Sequence, residues 1–179
     1  KTAYEIPKRD WSSDVCSSDL DGALFSDAAL SATNLHEVLR QTAPMRARKA
    51  AEIVLGSKDS WLLWTHTNYE ADEVHKTELA VDEVCGSDSD EKKETALIGF
   101  AEGTVSRLMT KPSIAGFGMN WQRCQNMVFI GMNYSYEQFY QAVRRCYRFG
   151  QTKPVNVYCL ATDMEWRLFD ALAKKQSAH

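Results

Sequence analysis

Gln141-Ala-Val-Arg-Arg-Cys-Tyr-Arg-Phe-Gly-Gln151 is the stretch from which the rest of the chain is best interpreted. It contains two arginines three positions apart, Arg145 and Arg148. We predict a helix that begins at Ser135 and ends at Gly150, so both guanidinium groups would lie on one helix face. A planar guanidinium binds carboxylate or phosphate oxygens in pairs. Such a pair can clamp a phosphoryl group during its transfer.

The simpler interpretation of the two arginines is a solvated helix face, which is the usual role of charged residues at this spacing. Arg144 lies about 100° further round the predicted helix and is expected to point elsewhere. A second stretch decides between the two interpretations, and it precedes the first in the chain. It reads Thr110-Lys-Pro-Ser-Ile-Ala-Gly-Phe-Gly-Met-Asn-Trp-Gln122.

The two stretches together resemble motifs V and VI of superfamily 2 helicases. Motif V of that family has a serine or threonine, then Ala-Gly, then Gly-x-Asn with a glutamine close behind. Motif VI reads Gln-x-x-x-Arg-x-x-Arg-x-Gly-Gln, and both patterns occur here in the family's order. The chain is most similar to the Snf-type DNA translocases and their phage and bacterial relatives. The resemblance covers about residues 45 to 173.

This resemblance implies a nucleotide site between two RecA-like lobes. The first lobe supplies a P-loop lysine and an Asp-Glu pair, and the second supplies arginine fingers that meet the γ-phosphate. By position Arg145 and Arg148 match those fingers, so they are the predicted catalytic residues. Gln141 and Gly118 are implied nucleotide contacts beside them. The implied cofactors are ATP and Mg²⁺, held mainly by the first lobe.

The motif V stretch is the predicted nucleic-acid contact. Gly116 and Gly118 let the backbone approach a ligand closely, because glycine adopts unusual backbone angles at little cost. The resemblance assigns this loop to the DNA backbone, with Ser113, Gly116, Gly118 and Asn120 as contacts. Lys111 follows a strand end and is a further predicted phosphate contact. The alternative is a plain turn between a strand and a helix.

The sequence lacks the ATP-binding motifs that the first lobe would supply. No G-x-x-x-x-G-K-[ST] pattern occurs, so a P-loop is absent. Asp82-Glu83 is an acidic pair, but no P-loop precedes it and we assign it no magnesium. We predict no metal-binding residues. This chain should therefore not hydrolyse ATP alone, and its predicted partners are DNA, ATP and the N-terminal RecA-like lobe of the same protein.

Residues 1–20 are expected to be foreign to the protein. They have neither helical nor strand periodicity, and Arg9 to Leu20 can be back-translated into a sequence that resembles a common short-read sequencing adapter. They also lack the apolar core of about 7 to 15 residues that a signal peptide needs. We expect residues 1–20 to be non-native and disordered. Residues 21–44 would be an ill-defined lead-in of loop or partial helix, and residues 45–175 the helicase C-terminal lobe, truncated at its N-terminus by a chimeric assembly.

Composition and charge fit one globular domain with a phosphate-rich partner. The 179 residues are 44% hydrophobic, as in an ordinary single domain. No apolar run approaches the roughly 20 residues needed to span a membrane, so we predict a soluble protein without a membrane partner. The net charge is -3, but basic residues far outnumber acidic ones between Val105 and Lys175. A basic half favours ATP or nucleic acid as partner.

Cysteine usage predicts a reducing compartment. Beyond residue 20 the cysteines are Cys85, Cys124, Cys146 and Cys159, and none has a C-x-x-C spacing. This argues against zinc and fits reduced thiols in core positions. The expected location is the cytoplasm of a bacterial cell or of a phage-infected host.

Strands and helices are predicted to alternate. Besides the motif VI helix, we predict helices near residues 45–55, 69–79, 90–101 and 162–174, and strands near residues 60–65, 80–85, 105–109, 126–131 and 155–160. Alternation predicts an α/β fold with a parallel sheet, and the three-layer RecA-like lobe of the resembling family agrees. Asn68 is the predicted cap of the second helix. Trp61 and Trp64 are expected in the core, and His66 is interpreted as structural or exposed.

We therefore interpret the chain as the C-terminal RecA-like lobe of a Snf-type, DNA-dependent ATPase. The intact enzyme would couple ATP hydrolysis to movement along DNA as its lobes open and close. A strand-separating helicase is the second interpretation. A non-catalytic nucleic-acid-binding or scaffolding lobe is an alternative from another class, and a P-loop and Asp-Glu box encoded upstream in frame would argue against it.

Overall fold

Helices and strands alternate along most of the described chain, except that β3 and β4 follow each other with no described helix between them. The computed structural model describes residues 32–114, 119–132, 135–163 and 165–167. Its elements are α1 (Ala32–Leu55), β1 (Trp61–Trp64), α2 (Asn68–His75), β2 (Asp82–Val84), α3 (Asp90–Glu102), β3 (Arg107–Thr110), β4 (Asn126–Phe129), α4 (Tyr136–Val143) and β5 (Asn156–Cys159). Residues 1–20, and most of the helix predicted near residues 162–174, lie outside the described residues.

The five strands form one sheet in the order β2-β3-β1-β4-β5, and every neighbouring pair is parallel. The predicted α/β class and parallel sheet are confirmed. Strand β1 lies in the centre, where Leu62 is aligned with Leu108 on one side and Met127 on the other. All four residues of β1 are buried, as expected of a parallel strand covered on both faces.

Helices cover both faces of the sheet, which makes three layers. Successive side chains of a strand point to opposite faces, so Leu62 and Trp64 pack into one core and Trp61 and Leu63 into the other. The first core receives side chains from α3 and α4, and the second from α1 and α2. Both tryptophans are core residues, as predicted, with 3% and 0% of their surface exposed.

The first helix is longer than predicted. It begins at Ala32 and contains Pro44 in its interior, whereas the sequence placed its start near residue 45. For residues 32–44 the partial-helix alternative is therefore confirmed. Tertiary contacts offset the backbone hydrogen bond that proline cannot donate. Ala43 is fully buried, and the Arg46 Nη2 donates to the Leu39 carbonyl oxygen at 2.6 Å across the proline.

The predicted cap of α2 is wrong by one residue. The N-cap is Thr67, whose Oγ1 accepts from the Glu70 backbone N, while the Glu70 carboxylate accepts from the Thr67 backbone N at 3.1 Å. This reciprocal pair is a capping box, for which a threonine followed three residues later by a glutamate is the sequence signature. The cap also places the Glu70 carboxylate at the carboxyl end of the sheet.

The four cysteines of the described residues are free thiols. Cys124 and Cys146 are buried in the core, as predicted, and Cys85 and Cys159 are half-buried. Burial raises the pKa of Cys159 to about 12. Burial and a hydrogen bond to Glu83 raise the pKa of Cys85 to about 11. Both shifts favour the protonated thiol near neutral pH.

None of the helices in the described part of the chain combines the length and apolar character that a membrane crossing requires.

Candidate functional site

The predicted motifs meet at the carboxyl edge of the sheet. In a parallel sheet the carboxyl ends of all strands lie on one side, where ligands of open α/β folds bind. The motif V stretch begins at the end of β3, and α4 follows β4 on the same side. The turn after α4 carries the motif VI arginines. The fold therefore brings the two stretches together, as their resemblance to helicase motifs requires.

The described residues of motif V flank its glycine loop. Lys111 is half-buried, and its Nζ donates to the Asn68 Oδ1 at the start of α2. Ser113 and Asn120 are exposed on either side of the loop, and the Asn120 Oδ1 accepts from the Gln122 backbone N at 3.2 Å. Gly116 and Gly118 lie outside the described residues. The assignment of these five residues to nucleic acid stays a prediction.

Helix α4 is shorter than the sequence predicted. It ends at Val143 with Arg144 as its C-cap, so the prediction that Arg145 and Arg148 share a helix face reaching Gly150 is wrong. After Val143 the backbone forms a tighter turn. The Arg145 N donates to the Ala142 carbonyl oxygen, and the Cys146 N donates to the Val143 carbonyl oxygen. These are bonds to the third residue back, as in a 3₁₀ turn.

Contacts from elsewhere explain why the helix stops. The Arg145 carbonyl oxygen accepts from the Trp121 backbone N at 2.9 Å, and the Cys146 carbonyl oxygen accepts from the Gln151 Nε2 at 3.2 Å. A continuing helix would need both carbonyls for its own backbone. The Trp121 and Gln151 hydrogen bonds therefore replace the helical ladder.

Two glutamine side chains fasten motif V to motif VI. The Gln122 Nε2 donates to the Phe149 carbonyl oxygen at 2.6 Å. In return the Gln151 Nε2 donates to the Gln122 carbonyl oxygen at 2.8 Å. With the bond from Trp121 to Arg145, three hydrogen bonds join the two segments. The sequence placed Gln151 in motif VI but did not predict its hydrogen bond to Gln122.

Arg145 and Arg148 both lie in the turn that follows α4. Arg145 is half-buried and Arg148 is exposed. Burial lowers the pKa of the Arg145 guanidinium, and the charge of Arg148 lowers that pKa further. Among the described residues no carboxylate forms a salt bridge with Arg145. Because a guanidinium stays protonated in proteins, this turn concentrates positive charge and suits an anion.

Arg144 lies with Arg148, contrary to the expectation that it would point elsewhere. Its guanidinium carbon lies 5.4 Å from the centre of the Tyr140 ring, and its Nη1 donates to the Tyr140 hydroxyl at 2.9 Å. Both arginines line one cleft of about 270 Å³. The lining residues are Tyr140, Arg144, Tyr147, Arg148, Phe149, Gly150 and Gln151. Gln141, a predicted nucleotide contact, is exposed on α4 outside this lining.

A buried ion pair that the sequence did not reveal lies at the same edge of the sheet. The Arg46 Nη1 donates to the Glu70 Oε1 at 3.0 Å and to the Ile130 carbonyl oxygen at 2.7 Å. Both side chains are only 4% exposed. The other Glu70 oxygen accepts from the His66 backbone N at 2.8 Å. The pair thereby joins α1 and α2 to the end of β4.

His66 lies next to this ion pair, and its surroundings favour the neutral imidazole. Its Nε2 is buried, and no described residue hydrogen-bonds to it. Burial lowers the pKa of the imidazole; the negative charge of Glu70 opposes this, and the positive charges of Arg46 and Lys111 add to it. The interpretation of His66 as a structural residue agrees with these contacts.

We expect acid to destabilise the fold partly through His66. Its folded-state pKa lies below the unfolded value of about 6.5, so the unfolded chain binds the proton more readily. This contribution to stability is complete above about pH 6.5 and is lost as the pH falls toward the folded-state pKa. Urea unfolding at pH 7.5 and at pH 5.5 (roughly one unit either side of the unfolded pKa) measures the loss.

The variant His66→Gln should lose less stability between the two pH values than the unmodified chain. His36→Gln is the control, because His36 is exposed on α1. An equal loss in the unmodified chain and in His66→Gln would contradict the prediction.

The chain is similar in sequence and in fold to parts of known ATPases and helicases. Residues 46–150, more than half of the chain, match the model of the helicase conserved C-terminal domain. The fold is similar to a solved structure described as the C-terminal part of the Fun30 ATPase domain, with a TM-score of 0.58 and 19% identity. That match covers 69% of this chain but 42% of the other, so this chain spans less than half of its length. A comparison with curated proteins finds no match.

Proposed function

The chain belongs to the helicase conserved C-terminal domain family, and from this premise we propose that it is the second RecA-like lobe of a Snf-type DNA translocase driven by ATP hydrolysis. One observation carries the proposal. Arg145 and Arg148 form a cationic turn at the carboxyl edge of the sheet, and hydrogen bonds from the motif V segment hold that turn. The likeness in fold to part of the Fun30 ATPase domain supports a lobe of an ATPase, and the motif V and motif VI patterns favour the Snf type.

In this proposal the two arginines act on the phosphates of ATP bound between two lobes. Arginine fingers stabilise the negative charge on the transferring phosphoryl group. Arg148 is exposed and lines the cleft, so it would contact the γ-phosphate. Arg145 is half-buried and would add a second positive charge near the phosphates. Gln141 would contact the phosphates from the exposed face of α4. Mg²⁺ would be held mainly by the first lobe and would neutralise phosphate charge there.

DNA would be engaged on the motif V side. Ser113 and Asn120 are exposed, and each can hydrogen-bond to a phosphate oxygen. Lys111 would add a positive charge next to Asn68, and Gly116 and Gly118 would let the backbone come close. Because Gln122 and Trp121 are bonded to the motif VI turn, movement of the DNA contact would be transmitted to the arginines. We propose the cytoplasm as its location.

The purified 179-residue chain is expected to show no ATP turnover above background, with or without DNA. The reason is that its sequence contains no P-loop to hold the β- and γ-phosphates. Phosphate release under saturating ATP measures this. The positive control joins the same chain to a helicase first lobe that carries a P-loop. Turnover by the chain alone that disappears in Arg148→Ala would contradict the two-lobe proposal.

A further inference from the structure

Two buried cysteines lie where the motif V and motif VI segments meet. Cys124 is 2% exposed and Cys146 is 0% exposed, and both belong to the core on the α3 and α4 side of the sheet. The Cys124 N donates to the Trp121 carbonyl oxygen at 2.9 Å. The Trp121 N in turn donates to the carbonyl oxygen of Arg145, the residue before Cys146, at 2.9 Å. The proposed function gives neither thiol a role.

The side chains of the two cysteines are in contact. The Cys124 thiol donates to the Asn126 carbonyl oxygen at 3.1 Å, so its sulfur can still accept a hydrogen bond. A hydrogen bond from the Cys146 thiol lowers the pKa of Cys124, and the same contact, together with burial, raises the pKa of Cys146. Cys124 is therefore the better nucleophile of the pair, and Cys146 is its protonated neighbour.

We propose that Cys124 and Cys146 form a redox modification site, at which a small peroxide converts the two thiols into a reversible disulfide. A disulfide needs two cysteines whose side chains already lie side by side, and this pair meets that condition. Hydrogen peroxide is little larger than water, so it is the oxidant class best suited to a buried pair. In a reducing compartment such links are transient. The inference goes beyond the proposed function, since this chemistry needs neither ATP nor DNA.

The reaction takes two steps. The Cys124 thiolate attacks one oxygen of hydrogen peroxide, the O–O bond breaks, and Cys124 becomes a sulfenic acid. The hydroxide that leaves takes up the thiol proton and becomes water. The Cys146 sulfur then attacks the Cys124 sulfur, the S–O bond breaks, and a second water leaves with the Cys146 proton. Two thiols thus lose two electrons and two protons to one peroxide, and an added thiol reverses the link by exchange.

The disulfide would add a covalent link to a junction that otherwise rests on hydrogen bonds. The bond from Trp121 to Arg145 and the side chains of Gln122 and Gln151 join the two segments. A covalent link beside these bonds would keep the motif VI turn from separating from motif V. The Trp121 amide reports on this junction, and its hydrogen exchange should slow by about tenfold or more in the oxidised chain.

Peptide mapping of the full 179-residue chain tests the site. The chain is treated with hydrogen peroxide and unfolded, its free thiols are alkylated, and it is digested with trypsin, which separates the two cysteines. The expected product is peptide 124–144 linked to peptide 146–148. It should be about tenfold more abundant than any other disulfide, because a thiol in contact reacts ahead of one that must diffuse. Oxidation in urea should remove this preference.

Cys159→Ala is the matched control, because Cys159 is another thiol packed against the same core. It should leave the linked peptide unchanged. Cys146→Ala should abolish the linked peptide and leave Cys124 as a sulfenic acid that dimedone traps. The mapping of the unmodified chain decides the question even if Cys146→Ala does not fold.

Three results would overturn the inference. The first is oxidation of Cys85 or Cys159 while Cys124 and Cys146 are still recovered as alkylated thiols. The second is a linked peptide that is no more abundant than the other disulfides. The third is a linked chain whose Trp121 amide exchanges as fast as in the reduced chain, since the disulfide would then not fasten the turn. Dithiothreitol should return both the peptide map and the exchange rate to those of the untreated chain.

Discussion

Arg148→Ala is expected to lower DNA-stimulated ATP turnover of the two-lobed protein by a factor of about 10³ to 10⁵. The side chain is exposed at the cleft, so its loss removes charge from the phosphoryl group without opening the core. ATP binding should be largely spared, because the first lobe would hold most of the nucleotide. Steady-state phosphate release and equilibrium ATP binding measure the two effects separately.

Two further variants test whether the loss of turnover is specific to the Arg148 guanidinium. Arg148→Lys keeps the charge but loses the planar fork that binds two phosphate oxygens, so it should recover only part of the activity. Lys153→Ala removes an exposed cation close by in the chain and should leave turnover unchanged. Normal turnover in Arg148→Ala would show that the finger is misassigned.

Glu70→Ala is expected to lower the free energy of unfolding of the chain by about 3 to 5 kcal/mol, because it leaves the Arg46 guanidinium buried without its counter-charge. Arg46 is 4% exposed, so water does not replace the carboxylate. The change also removes the acceptor for the His66 and Thr67 backbone N–H groups. Urea unfolding followed by tryptophan fluorescence measures the loss.

Glu52→Ala is the matched control for this prediction. Glu52 also lies on a helix and pairs with a basic residue, Lys49, but its side chain is 71% exposed. Exposed pairs of this kind contribute about 0 to 1 kcal/mol, so the control should unfold close to the unmodified chain. Similar losses in both variants would indicate that burial of the Arg46 and Glu70 pair is not what stabilises this edge of the sheet.

Gly131 shows how closely the buried pair is packed. Its φ is +116°, a region that favours glycine. A Cβ at this position would overlap the Arg46 guanidinium and the Glu70 carboxylate. The end of β4 therefore passes directly over the ion pair, and a glycine is needed there for both conformational and steric reasons.

Elements with local signals were predictable. Helix α3 runs from Asp90 to Glu102, close to the predicted range, since Ser89 caps its start and Gly103 has the left-handed φ of +88° that commonly ends a helix. Strand β1 was predictable for a related reason, because a short, wholly apolar run is typical of a buried parallel strand. In both cases the signal lies within the element or next to it.

The candidate site was only partly predictable. Motif spacing singled out Arg145 and Arg148, and in the structure the charge of Arg148 lowers the pKa of the Arg145 guanidinium. The sequence gave no indication that Arg144 would line a cleft with Arg148, because the position of Arg144 depends on where α4 ends. The position of Glu70 at the start of α2 could have been predicted, because Thr67 and Glu70 have the spacing of a capping box. Its pairing with Arg46 could not.

By itself the sequence determined the alternation of strands and helices, the parallel sheet and the two helicase motifs, since these follow from residue type and spacing along the chain. The tertiary structure decided that α4 stops at Val143, that Trp121 and Gln122 bond to the motif VI turn, and that Arg46 pairs with Glu70. The physical reason is common to all three. Each depends at least in part on a hydrogen bond or charge pair between residues more than twenty positions apart, and the sequence around one partner does not identify the other.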